Sequence, residues 1–191
     1  GNSDNSYMYP YYLLPTQGSH EITDPLINGN YHILQPLAHG ITIQETYRST
    51  LNITGLLNTT DSAYAKTDPN NAATLEKEDG DLDGPFYTGV AVSEAFDDKE
   101  TRIVWFSSSS LLDQSINTFV SGANYNLVLN SIGWMCDREE TISIRAVDLT
   151  QETLLVTDMQ KNIWSVVLCF ILPVSVIALG LIIWTKRRKR R

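Results

Sequence analysis

The sequence predicts a mixed α/β domain carried on one C-terminal transmembrane helix. Three stretches support this. Residues 86–107 hold two apolar, alternating runs joined by a polar turn. Residues 124–136 place apolar side chains at helical spacing. Residues 163–184 form an apolar run without a single charge. The organisation that follows is an extracytoplasmic domain over 1–157, a transmembrane helix over 158–185 and a basic cytoplasmic tail over 186–191.

The first 40 residues are rich in Pro, Tyr, His and Gly. Pro10, Pro15, Pro25 and Pro36 divide them into short extended pieces and turns. Residues 41–60 alternate weakly through Ile41, Ile43, Leu51 and Ile53, as strands do. Residues 61–84 are polar and acidic and read as a surface loop. The segment FYTGVAVSEAF, a polar turn over Asp97–Glu100 and the run TRIVWFS then predict a β-hairpin. A helix over Asn124–Cys136 is expected to bury Tyr125, Val128, Leu129, Ile132 and Met135, which share one face. Thr141–Ala146 reads as a strand, and Glu152–Thr157 as a short extended piece before the anchor.

The anchor is IWSVVLCFILPVSVIALGLIIW, Ile163 to Trp184. At about 1.5 Å per residue it spans about 33 Å, enough for a hydrocarbon core of about 30 Å. Trp164 and Trp184 stand at its ends, where indole rings favour the membrane interface. Pro173 is positioned to kink the helix, and Gly180 to admit a neighbouring helix. Thr157 or Asp158 is the expected N-cap. A core helix of a soluble protein rarely runs this far without polar residues and then meets a block of cations.

Charge sets the orientation. The chain carries 14 Lys and Arg against 22 Asp and Glu, a net −8. Every acidic residue precedes the anchor, and six of the basic residues are Lys186, Arg187, Arg188, Lys189, Arg190 and Arg191. The body thus has eight basic against 22 acidic residues, net −14, and the tail is +6. Cations beside a membrane helix stay cytoplasmic, which places the body outside. A body this acidic repels phosphate backbones, so nucleic-acid binding by the domain is not expected. No basic, apolar leader opens the chain. The expectation is therefore the C-terminal part of a longer protein whose earlier portion carries the export signal.

Motifs for chemistry are sparse. His20, His32 and His39 have spacings that fit no helical metal pair. Cys136 and Cys169 do not pair, because Cys169 lies in the apolar run; Cys136, at a helix end, reads as a packing residue. Asp79, Asp81, Asp83 and Gly84 match the start of a calcium loop, but the twelfth position is Val90 where a bidentate Glu belongs. The serine run Ser107–Ser110 follows a strand, where active-site loops sit, yet no GxSxG elbow is present. No GxxxxGK[ST] phosphate loop occurs, so the chain is not itself an ATPase of that type. The expectation is a chain without cofactor, metal or catalytic residues, with membrane lipid as its first partner.

An ordered set of landmarks runs along nearly the whole chain: YYLLPTQGSHEITDPL, ILQPLAHGI, GLLNTTDSAYAK, DGPFYTGVAV, RIVWFSSSSLL, NYNLVLNSIGWMCDREETISIR and ILPVSVIALGLIIWTKRRKR. In this order the sequence resembles the Gldg family, auxiliary proteins of ABC-type transport systems linked in some bacteria to gliding motility. The resemblance implies a flavodoxin-like or amidotransferase-like extracytoplasmic domain, of which this chain holds the C-terminal portion. It also implies an ABC permease and an ATPase as partner chains; the substrate is not implied. Ser107–Ser110 stands where the family often has a Gly-Asp dipeptide, a departure from its pattern. Two further readings stay open. One is a membrane-tethered amidotransferase-like or hydrolase-like enzyme with its active site in the earlier half. The other is a type I subunit of a glycosylation complex, in which Asn52-Ile53-Thr54 and Asn58-Thr59-Thr60 are acceptor sequons. A cytosolic tail-anchored protein is the rival topology.

Cell membranes carrying the chain are expected to retain it through high-salt and alkaline carbonate washes and to release it only to detergent. Recovery in the soluble fraction would remove the anchor.

Overall fold

The computed structural model describes residues 1–2, 4–69, 73–97, 99–136 and 157–188. The expected strand over 141–146, the extended piece over 152–156 and the tail residues 189–191 lie outside the described residues. The chain divides into two compact units, Gly1–Leu155 and Val156–Arg191.

The first unit opens with three short elements. These are β1 (Tyr12–Leu13), β2 (Thr16–Gln17) and α1 (Asp24–Asn28). Pro25 does not end a segment, as the sequence suggested. It sits in the first turn of α1, where its missing N–H costs no hydrogen bond and its fixed φ suits the helix. β3 (Gln35–Pro36) follows and pairs antiparallel with β1. β4 (Leu51–Asn58) is the first long strand. The acidic stretch expected as loop holds β5 (Tyr64–Ala65) and β6 (Leu82–Asp83), paired antiparallel. β7 (Tyr87–Phe96) and β8 (Lys99–Phe106) form the predicted hairpin. Its loop is tighter than expected, because Lys99 and Glu100 belong to β8. Asp97 takes a positive φ of 53°, the backbone a two-residue hairpin loop requires and one that Asp tolerates.

The main sheet has the order β2-β4-β7-β8, antiparallel at every pairing. The mixed helix and sheet content agrees with the expected class. The parallel crossover on which a flavodoxin-like sheet is built does not occur among the described residues.

The two faces of this sheet differ. Thr54, Ala91 and Val104 stand opposite one another on the inner face, and Leu57, Gly89 and Phe106 extend it. Against it pack Ile22 just before α1, Leu26 within α1, Ile33 and Leu34 before β3, and the helical segment that follows β8. That segment comprises a 3-10 turn, Ser109–Leu112, then α2 (Gln114–Phe119) and α3 (Ala123–Met135). Asp113 caps α2 by accepting from the Ser115 N–H at 2.8 Å. Gly122 takes φ 84° to turn the chain into α3, a conformation that strains an L side chain. Gly18 is required for close approach, because a Cβ there would lie 2.3 Å from the Gly55 carbonyl oxygen.

Helix α3 is present almost as bounded from the sequence, but it faces the other way. Its buried residues are Ala123, Asn124, Leu127, Ser131 and Gly133, with Val128 and Trp134 packed beside the core. Tyr125, Leu129, Ile132 and Met135, expected inside, are exposed. The reason is hydrogen bonding. The Asn124 side chain accepts from the Leu34 N–H at 3.1 Å and donates to the carbonyls of Leu34 at 2.9 Å and Leu111 at 3.0 Å. Three buried backbone groups would otherwise go unpaired, and each such group costs about 1–3 kcal/mol. Asn130 adds a bond to the Ile22 carbonyl at 2.9 Å on the same side. Cys136, expected to pack, is also exposed, as the residue that caps the helix end.

Chemical denaturation should separate the two faces of α3. Leu127→Ala is expected to cost about 2–5 kcal/mol through the cavity it leaves, and Asn124→Ala about 2 kcal/mol or more. Leu129→Ala should stay within about 0.5 kcal/mol of the parent. A costly Leu129→Ala beside a neutral Leu127→Ala would reverse the orientation of α3.

Candidate functional site

The second unit is built around one helical run. It comprises α4 (Asp158–Val166), a wide π turn over Val167–Ile171 and α5 (Leu172–Arg188). Thr157 is the N-cap. Its side chain accepts from the Gln160 N–H, and the Gln160 side chain reaches back to the Thr157 N–H, a reciprocal capping box. Met159–Leu181, 23 residues, is long and apolar enough to cross a membrane, and is the one such helix among the described residues. A helix suits lipid because it satisfies its backbone polar groups internally.

Pro173 shapes this run without ending it. Proline has no N–H, and its ring crowds the carbonyl four residues earlier, at Cys169. The π turn lies directly over that carbonyl and loosens the spacing there. The Ser175 hydroxyl also donates to the Leu172 carbonyl at 2.7 Å. Trp164 and Trp184 are exposed near the two ends of the run. Beyond the helix's own adjacent backbone, no described atom comes within 4 Å of where a Gly180 Cβ would stand, which leaves a shallow place on the helix. Lys186 is exposed in the last turns of α5, and Arg187 and Arg188 end the helix.

Ser107, Ser108 and His39 take part in structural ties, and His32 is exposed. The Ser107 hydroxyl donates to the Thr88 carbonyl at 3.1 Å, and the Ser108 hydroxyl to the Pro36 carbonyl at 2.5 Å. The Gln35 amide donates to the same Thr88 carbonyl at 3.3 Å. These bonds fasten β3 across the end of β7 and β8. His39 approaches the run through Nδ1, 3.3 Å from the Ser107 carbonyl oxygen, and not through a hydroxyl. A serine nucleophile needs a base on its own oxygen, and here both hydroxyl protons are directed at backbone carbonyls.

The acidic loop is closed on lysines. Lys66 Nζ lies 2.7 Å from Glu78 and 2.9 Å from Asp81. Asp81 also accepts from the Glu78 N–H at 2.8 Å. That backbone bond, and then Lys66, hold the Asp81 carboxyl below the usual carboxylate range. Asp83 lies in β6 and pairs with Lys77, while Asp79 is exposed. No three His, Cys, Asp or Glu residues among the described ones gather as a metal-holding group. An EF-hand loop turns its carboxylates on one ion; here strand pairing between β5 and β6 turns Asp81 and Asp83 to different lysines.

Two surfaces went unnoticed in the sequence. The first is the outer face of the sheet. Ile53, Val92 and Ile103 stand in register there, as do Gly55, Val90 and Trp105. Residues 41–50 cross this face. Ile41 bridges Tyr87 at one end, and Arg48 and Thr50 both engage Glu94 at the other, Arg48 at 3.1 Å. Val90 is buried on this side, but β8 is left bare. Ile103 is 56% exposed, Trp105 59% and Phe96, near the hairpin tip, 76%. The second surface is the outer stripe of α3, with Leu129, Ile132 and Met135. Large apolar side chains grouped on an exposed face mark interaction sites more often than do scattered ones.

Arg102 is the other residue that the sequence did not single out. Its guanidinium donates to the Trp134 carbonyl at 2.7 Å, stacks over the Trp134 ring at 5.2 Å and pairs with Glu100 at 2.6 Å. It thus fastens the start of β8 to the last turn of α3, where a cation also complements the helix dipole. His20 meets the same Trp134 ring edge-on at 5.1 Å, and its Nδ1 accepts from the Ile22 N–H at 3.2 Å. Burial holds the His20 pKa below its ordinary 6.5, against the opposing pull of Glu21 and Asp24.

This sets a pH dependence. The neutral His20 ring is the form that fits, so its contribution is fully present above 6.5 and is lost as pH falls through the lower folded value. The melting temperature is expected to drop between pH 7 and 5.5, and His20→Gln to flatten that slope. An unchanged slope in the variant would assign the effect elsewhere. Comparisons of the chain with family models, curated proteins and solved structures find no match.

Proposed function

We propose that this chain is a membrane-anchored, non-catalytic auxiliary subunit of an ABC-type transport system, with an exterior domain that binds a partner or substrate. The observation that carries this reading is the anchor itself. An uncharged apolar run between two tryptophans is followed by six cations, and a domain with net charge −14 precedes it. One helix does not enclose a permeation path, and no GxxxxGK[ST] loop occurs in this sequence, so in this reading transport resides in a partner permease and ATPase. The ordered likeness to the Gldg family selects ABC-type transport among the roles open to a single-pass protein.

The domain supports a binding role by its surface. Side chains that suggested chemistry are spent on structure: Ser107 and Ser108 on backbone carbonyls, Asp81 on Lys66. Large apolar side chains stand outward instead, on β8 and on α3. In this reading the described sheet is one portion of a larger domain of flavodoxin-like or amidotransferase-like type. The anchor would pack beside permease helices along Pro173 and Gly180, and the basic tail would meet anionic lipid on the cytoplasmic side.

Two measurements test this. In intact cells, protease should reach the domain, and a tag fused after Arg191 should stay protected; a tag open to the outside would reverse the topology. Gentle detergent purification should recover an ATPase and a multi-span permease with the chain. Ile103→Glu combined with Trp105→Glu should reduce that recovery by about tenfold or more, the effect expected of apolar anchors in an interface, while leaving the melting temperature nearly unchanged. Purification of the chain free of both partners would sink the assignment.

A further inference from the structure

We draw no further inference here: the strongest candidate, the bare apolar strip of Phe96, Ile103 and Trp105 along β8 at the sheet edge, belongs to the surface already described, and nothing in the structure shows what covers it.

Discussion

Asn124 makes the hydrogen bonds on which the rest of the domain depends. It sits fully buried at the start of α3 and joins three segments distant in sequence: the helix, the strand approach at Leu34 and the turn at Leu111. A buried amide with its partners aligned is worth more than its net stability suggests, because the alternative leaves several backbone groups dry and unpaired. Once Asn124 points inward, the helix has a single rotation. Leu127 then meets Leu56, Leu57 and the α1 residues in the core, and Trp134 comes to the start of β8, where Arg102 holds it. The same rotation turns Leu129, Ile132 and Met135 outward.

The two units place their apolar side chains differently. In the domain, apolar side chains leave water by packing between the sheet and α1, α2 and α3. In the anchor, apolar side chains point outward all round the helix, an arrangement costly in water and favourable in lipid. Pro173 illustrates the difference. In water an interrupted helix can fray and hydrate, whereas in lipid the freed carbonyl must be accommodated locally. A π turn over Val167–Ile171 loosens the spacing around that carbonyl.

The fold commits several of the polar side chains that stand out in the sequence. Hydroxyls and carboxylates that read as candidate chemistry are fixed by short-range needs of the backbone. The β5–β6 pair commits Asp81 and Asp83 to lysines, and the docking of β3 commits Ser107 and Ser108 to carbonyls. On the outer side of β8, Ile103 and Trp105 are exposed, while residues 41–50 are tied to β7 at Tyr87 and Glu94. Large apolar side chains grouped on that exposed edge are of the kind that mark contact surfaces.

Local pattern determined much of this protein. The hairpin of β7 and β8 was readable because alternation and turn chemistry lie within 20 residues of each other. The long apolar C-terminal helix and its capping threonine were readable because length, apolarity and cap chemistry are all properties of a contiguous stretch. The bounds of α3 were readable for the same reason, but its rotation was not. Two stripes at helical spacing compete on it, and hydrophobicity alone favours the one with Tyr125, Leu129 and Ile132. Only the tertiary fold brings Leu34 and Leu111 to Asn124 and reverses the choice. Strand order, the crossing of residues 41–50 and the pairing of Lys66 with Asp81 were likewise decided by contacts across the fold, which no local periodicity encodes.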